Sequence, residues 1–332
     1  MTVLVTGATG YVGGRLVPAL LEAGHEVRTT TSSPDREQLW WVDRVDTVVM
    51  DILDADDVAS ACEGIDAVYY LVHGMGGDDF AENDRTAAQN MVAAVQQHGI
   101  ERVVYLSGIV PDVPEDELSE HIASRLEVER ILGGSSATVI TLRAAVIMGS
   151  DSTSFEIIRQ VSERMPVRTV PDWMRRDVQP IAVVDVIAAL VGALTVDGPT
   201  RHVDVGGNDV LAYPDLLDRY AELADLTRPE VEIPLLPTHL VGTMLGGLTD
   251  VPSPVVHALV ESLHHDMVCA PGVVDGRAAP ARLPDDGPGR VDSPLARRTH
   301  RRARERRPHG PLAPGPRLDR GRRRPPRHRQ GR

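Results

Sequence analysis

The stretch VLVTGATGYVGGRL, residues 3–16, decides the fold. A short apolar run, Val3 to Val5, leads into glycines at positions 7, 10 and 13, and then into the amphipathic stretch YVGGRLVPALLEAG (11–24), which Gly24 stops. That order predicts a buried strand, a glycine-rich turn and a helix. The first N–H groups of a helix have no intrahelical partner and sit at the positive end of its dipole, so such a turn suits phosphate. Gly7 permits the sharp turn, Gly10 lets the main chain approach a pyrophosphate, and Gly13 allows close helix–sheet packing.

Outward from that stretch, strand and helix patterns alternate. HEVRTT (25–30), DTVVMD (46–51), DAVYYLV (66–72), ERVVYLSG (101–108) and ATVITLRAAVI (137–147) read as strands. FAENDRTAAQNMVAAVQQHG (80–99), with Met91, Val92 and Val95 on one side, and SEHIASRLEVERIL (119–132) read as helices. Apolar strands alternating with helices predict an α/β fold, a doubly wound parallel Rossmann sheet with ligands at the carboxyl ends of its strands. In that setting the glycine triplet predicts dinucleotide binding. Residues 150–180 and 206–268 leave the sheet pattern and are expected to shape the substrate pocket. The chain thus divides into a nucleotide-binding core (1–150), the remaining core elements with a substrate subdomain (151–268), and a tail (271–332).

The tail differs in kind. It holds 18 arginines against 6 acidic residues and 11 of the 25 prolines, while residues 1–270 carry a net charge of −25. It shows no periodicity and too little apolar surface to offset its ordering entropy, so disorder is expected. RRTHRRARERR (297–307) could hold nucleic acid electrostatically, or be a solvated tail. The abrupt change after VESLHHDMVC favours a third reading, translation of a GC-rich gene in a shifted frame. The acidic core argues against nucleic acid as its own partner.

No apolar run is long enough for a membrane span, and the strand pattern starting at Thr2 predicts no signal peptide. Two isolated cysteines, Cys62 and Cys269, fit a reducing cytoplasm. No zinc motif or nucleophile elbow occurs, so no metal is expected. Every one of the 35 basic residues is arginine, because the chain contains no lysine.

Gly-x-x-Gly-x-x-Gly, written TGATGYVGG, resembles the short-chain dehydrogenase/reductase superfamily, and more of residues 1–268 agrees. MDILDADDV (50–58) looks like its Asp-containing turn after strand three, DRTAAQNMVAAV (84–95) like its helix with a central Asn, here Asn90, and RVVYLSG (102–108) like its fifth strand ending in Ser107. The later segments LRAAVIMG, PIAVVDVIAAL and DVGGNDVLAYPDLLDRYAELADL resemble the extended and atypical branches, of NmrA-like and epimerase-like kind. The resemblance implies that Thr6, Gly7, Ala8, Thr9, Gly10, Tyr11, Val12 and Gly13 hold the cofactor phosphates and that Asp51 and Ile52 contact adenine. It also implies that Val72 and His73 pass close to the cofactor. The cofactor is NADP or NAD. No acid stands at the end of strand two, where Ser32 and Arg36 tilt the choice towards NADP over a plain polar loop.

The superfamily carries a Tyr-x-x-x-Lys pair on the helix after strand five. Here the matching helix offers His121 and Arg125, four apart and so on one face. In one reading His121 is the acid/base, Arg125 bonds the ribose and keeps the imidazole neutral, and Ser107 orients the substrate. In the other, preferred on sequence grounds, both are solvent-facing residues of a helix that no longer catalyses. His73 is either a ligand neighbour or a polar strand end, Arg143 a structural or substrate-facing cation, and Trp40 and Trp41 packing residues. Two functions follow: an NAD(P)H-dependent oxidoreductase of a small organic substrate, or a non-catalytic NADP(H)-sensing regulator with a partner protein. A third possibility is a damaged gene product that binds nothing. Many relatives dimerise, which makes a homodimer the expected assembly.

Overall fold

Strand β1 (Thr2–Val5) enters the fold first, followed by β2 (Glu26–Thr31), β3 (Asp46–Val49), β4 (Ala67–Tyr70), β5 (Arg102–Gly108) and β6 (Thr138–Ala144). The short strands β7 (Ile147–Met148), β8 (Arg168–Val170), β9 (Asp177–Val178) and β10 (Ile181–Ala182) intervene before β11 (Arg201–Val205). β12 (Leu211–Ala212) and β13 (Glu230–Glu232) complete the described strands. This computed structural model describes residues 1–32, 40–74, 79–227, 229–232 and 238–270. The tail read as disordered or frame-shifted, and Arg36, lie outside the described residues.

Seven strands form one parallel sheet in the order β11-β6-β5-β4-β1-β2-β3. The six strands expected from the sequence are present, and β11 is added at an edge. Its sequence, RHVDV, places polar or charged residues at three of five positions, which suits an edge strand but masks it as a strand. The order reverses between β1 and β4, so the crevice beside the glycine turn is the switch point at which such sheets bind ligands.

Helices cover both faces. Leu4, Val68, Tyr70, Val103 and Val139 pack with α2 (Ala55–Ala61), α3 (Phe80–His98) and α4 (Glu120–Gly133), through Val58, Met91 and Val128 among others. Val3, Val5, Tyr69, Val104 and Ile140 face the other way, against α1 (Gly13–Glu22) and the later helix at Val183–Ala193. Successive strand residues therefore feed opposite cores, which is why these strands read as continuous apolar runs. Pro18 inside α1 cannot donate to the Gly14 carbonyl four residues back. The buried Trp41 does so instead, its indole N–H donating to that oxygen at 3.0 Å. Trp41 is thus a packing residue with one task, while Trp40 is exposed.

Past the sheet, α5 (Thr153–Arg164), α6 (Val183–Ala193), α7 (Tyr213–Leu223), α8 (Thr238–Leu248) and α9 (Ser253–Ser262) follow. Among these, α5, α8 and α9 share an apolar cluster around Ile157, Val241, Val256 and Val260. The chain from Met267 to Ala270 is latched to the body. Gln179 Oε1 accepts from Cys269 N at 2.9 Å, its Nε2 donates to Gly207 O at 2.7 Å, and Ala270 N donates to Asp204 at 2.9 Å. No helix among the described residues is long and apolar enough to cross a membrane. Arg143 proves structural: it makes a two-pronged pair with Glu129, at 2.9 and 2.8 Å, with both side chains largely buried.

Candidate functional site

The glycine turn is built from main chain at close quarters. Gly7 has φ +67°, and a Cβ there would lie 3.0 Å from the Leu71 carbonyl oxygen at the end of β4. A Cβ on Gly13 would run into the Gly7 carbonyl and come 2.8 Å from Ala8 Cα. Helix α1 starts at Gly13 with no side-chain cap and no acidic residue in its first turn. Gly14 N and Arg15 N donate to Gly10 O and Val12 O, and the positive end of the helix dipole meets the turn with no carboxylate of its own beside it. The uncapped helix end and the Cβ-free cradle fit a dinucleotide phosphate.

The other expected cofactor residues divide into groups. Thr6 is buried and its hydroxyl is engaged at both poles, donating to Tyr69 O at 3.1 Å and accepting from Leu71 N at 3.2 Å, so it pins the turn to β4. Ala8 is buried and Thr9 exposed. Asp51 accepts from Leu53 N at 2.9 Å, which shapes the turn after β3. Asn90 on α3 donates to the Ile52 carbonyl at 3.1 Å and so ties the long helix to that turn. Ser32 is exposed just past β2.

A cavity of about 430 Å³ opens at the carboxyl ends of β1, β4 and β5. Gly7, Gly10, Tyr11, Val12 and Gly13 form one side of it, and His73, Ser107, His121 and Arg125 another. His121 and Arg125 therefore line the cavity instead of facing open solvent. The rings of His73 and His121 meet edge to face, 6.0 Å between centroids. Four residues lining this space each carry a polar atom that is buried without a hydrogen-bond partner: Tyr11 Oη, His73 Nδ1, Ser107 Oγ and Arg125 Nε. Buried polar groups are ordinarily satisfied, so a set of orphans around one cavity marks where a ligand would satisfy them.

The electrostatics keep both imidazoles neutral. Burial and then the Arg125 charge push His121 down to about 4. The Arg125 guanidinium, burial and His121 together hold His73 well below the ordinary histidine range. Burial also presses on Arg125 itself, partly offset by Tyr105 and Asp84 nearby. Tyr105, behind the site, is pushed up to about 12 by burial.

Asp84 escaped the sequence reading. It is buried on α3, where Oδ1 accepts from Gly74 N at 2.7 Å and Oδ2 accepts from Ser124 Oγ at 3.0 Å. Gly74 follows His73, and Ser124 lies between His121 and Arg125. One carboxylate thus holds together the two segments that carry the site. The signal was present: Asp84 shares the spacing of Ala87, Ala88, Met91 and Val95, so it is a lone acid on the apolar face of its helix. Arg15 plays a comparable part on the opposite side, stacking over Tyr11 at 4.1 Å and donating to Ser150 O at 2.9 Å.

Comparison with known proteins agrees with this geometry. The 3-beta-hydroxysteroid dehydrogenase of Mycolicibacterium neoaurum is 40% identical over 114 residues, 31% of each chain. The 2-alkyl-3-oxoalkanoate reductase of Stenotrophomonas maltophilia is 29% identical over 189 residues, 49% of this chain and 56% of that one. The matched segments therefore span between about a third and just over half of these relatives' lengths. Among solved structures, a nucleoside-diphosphate-sugar epimerase from Staphylococcus aureus superposes with a TM-score of 0.64 at 13% identity, covering 80% of this chain and 90% of its own. The Thermus thermophilus UDP-glucose 4-epimerase in complex with NAD gives 0.57 at 21% identity, covering 79% and 99%. At those identities the likeness carries the fold alone, a Rossmann fold. The profile of the NAD(P)H-binding family matches residues 7–184. A match over more than half of the sequence, across the glycine turn and five of the seven sheet strands, means that the chain belongs to the NAD(P)H-binding family.

Proposed function

We propose that this chain is an NAD(P)H-dependent oxidoreductase that interconverts an alcohol and a carbonyl on a small organic substrate, with His121 handling the proton. The observation that carries the reading is the convergence of orphaned polar atoms, Tyr11 Oη, His73 Nδ1, Ser107 Oγ and Arg125 Nε, beside the glycine turn. Gly10 to Gly13 hold the phosphates, Asp51 and Ile52 flank the adenine, and Val72 and His73 lie along the cofactor. When bound, the nicotinamide supplies or accepts the hydride. The neutral His121 imidazole takes the hydroxyl proton on a ring nitrogen during oxidation and returns it during reduction. Ser107 Oγ donates to the substrate oxygen. Arg125 bonds the ribose, and burial together with the Arg125 charge keeps His121 unprotonated between turnovers. The chain from about residue 151 to 268 closes the pocket around the substrate. NADP is the favoured cofactor, since the described end of β2 runs Thr30-Thr31-Ser32 without a carboxylate.

The test is calorimetric titration of the full chain with NADPH and NADH, followed by cofactor absorbance in the presence of aliphatic and aromatic carbonyl compounds. Binding with turnover supports the reading. Tight binding without turnover across the panel returns the NADP(H)-sensing regulator, and no binding at all removes both.

A further inference from the structure

Beyond the cofactor, the cavity changes character. Its far wall is made by α5, α7, α8 and α9 with the segment around Trp173, and most of the side chains lining it are aliphatic, aromatic or thioether. The hydroxyls there are those of Ser152, Thr153 and Ser154 at the start of α5, Tyr213 on α7 and Ser262 on α9. Ile158, Trp173, Met174, Leu217, Val241 and Leu245 carry the argument. Among the described lining residues the ionisable nitrogen groups, His73, His121 and Arg125, all stand at the cofactor end, and no lining residue is an Asp or Glu. Ser152, at the mouth of α5, already donates its hydroxyl to Ile147 O at 2.7 Å.

A charged ligand placed against that wall would lose its hydration with only a few hydroxyls and no countercharge in return. An apolar one would gain by leaving water. A diphosphate needs arginine, lysine or a free helix end to hold it. The chain has no lysine, and Arg125 is the sole arginine among the described lining residues. The epimerases that share this fold have sugar nucleotides in their names. In this chamber the start of α5, with no side-chain cap and with Thr153 and Ser154 beside it, is a place for a phosphate that no lining arginine or lysine of the far wall reinforces.

We infer that the substrate is an apolar molecule bearing one carbonyl or hydroxyl, which points at His121 and Ser107 while its hydrocarbon body fills the α5/α8/α9 chamber. This deepens the oxidoreductase reading and rests on the same cavity, but it is a statement about binding and can be tested without turnover.

The experiment titrates the full chain, with and without saturating NADPH, with Nile red as an uncharged apolar probe, and then competes the dye with 2-decanone or with UDP-glucose. The expected result is displacement by 2-decanone and none by UDP-glucose, with dye affinity at least tenfold weaker in Leu245→Asp and unchanged in Leu240→Asp. Leu240 lies on the same helix but is half exposed and outside the cavity. Circular dichroism and NADPH affinity check that each variant is folded, and Leu245→Ser replaces Leu245→Asp if the charged variant fails that check. Displacement by UDP-glucose, failure of 2-decanone to compete, or unchanged dye binding in a folded Leu245 variant would each overturn the inference. Dye and ketone binding without any turnover would leave it standing and remove the catalytic reading alone.

Discussion

At its cofactor end the cavity is bounded by main chain: Gly7, Gly10 and Gly13 present amides and carbonyls, with a few polar side chains, Ser107, His121 and Arg125, set around them. At its far end it is bounded by hydrocarbon drawn from four helices, with Ile158 and Val241 nearly inaccessible to water. The first surface is specified by backbone shape within one turn and one switch point. The second is specified by volume, summed over residues up to a hundred positions apart. On the proposed function chemistry belongs to one end and selection to the other, and substitutions at the two ends should fail in different ways.

The largest effect is expected at His121. His121→Gln should lower kcat by about 10²–10⁴-fold with NADPH affinity retained, the usual range for losing a general acid–base group. Stopped-flow and calorimetry on the same preparation check it, and equal losses in both would erase the distinction between holding and reacting. At the opposite end Ile158→Ala should destabilise the fold by about 2–5 kcal/mol, as emptied core sites do, while leaving NADPH affinity at its original value in the folded fraction. Urea titration reads the first and calorimetry the second. Gly13→Ala should reverse that pattern. Its methyl group meets the Gly7 carbonyl and Ala8, so a strain of about 1–3 kcal/mol should come with weaker NADPH binding.

The smallest effect is acid sensitivity at the polar end. An unfolded histidine takes up a proton near pH 6.5, whereas folded His121 does so only near 4. Between those values the unfolded chain binds more protons, so stability is full above about 6.5 and falls as the pH drops towards 4, by at most about 1.4 kcal/mol per pH unit for this group. Urea midpoints at several pH values should show that slope lessened in His121→Gln. An unaltered slope would mean that the imidazole is better hydrated than its position at the cavity implies.

The same division explains what could be read from the sequence. The glycine turn, the strands from Val3 to Ala144 and the helix carrying His121 were legible because each is a contiguous pattern with a local physical cause. β11 was obscured by Arg201, His202 and Asp204, polar and charged side chains that an edge position tolerates. Solvent-facing His121 and Arg125 were the expectation because a polar residue on an amphipathic helix ordinarily faces water, whereas α4 turns these two inward to a cavity that no single-helix pattern reveals. Asp84 was legible in principle, as an acid in an apolar stripe, but its meaning required Gly74 and Ser124 to be brought to it. The segments that build the chamber, 150–180 and 206–268, were legible by leaving the sheet pattern, but its apolar character was not, since Trp173, Leu217 and Leu245 share no motif and meet only through tertiary packing.

The Gln179 side chain has a practical consequence for handling this molecule. Because its amide grips Gly207 on one side and Cys269 on the other, removing residues before position 270 would strip a carbonyl acceptor of its donor and pry open the edge beside β11. A stop codon placed after Ala270 would spare every one of those links. Shortened versions should therefore melt like the full-length chain when cut at 270, and at a visibly lower temperature when cut at 262.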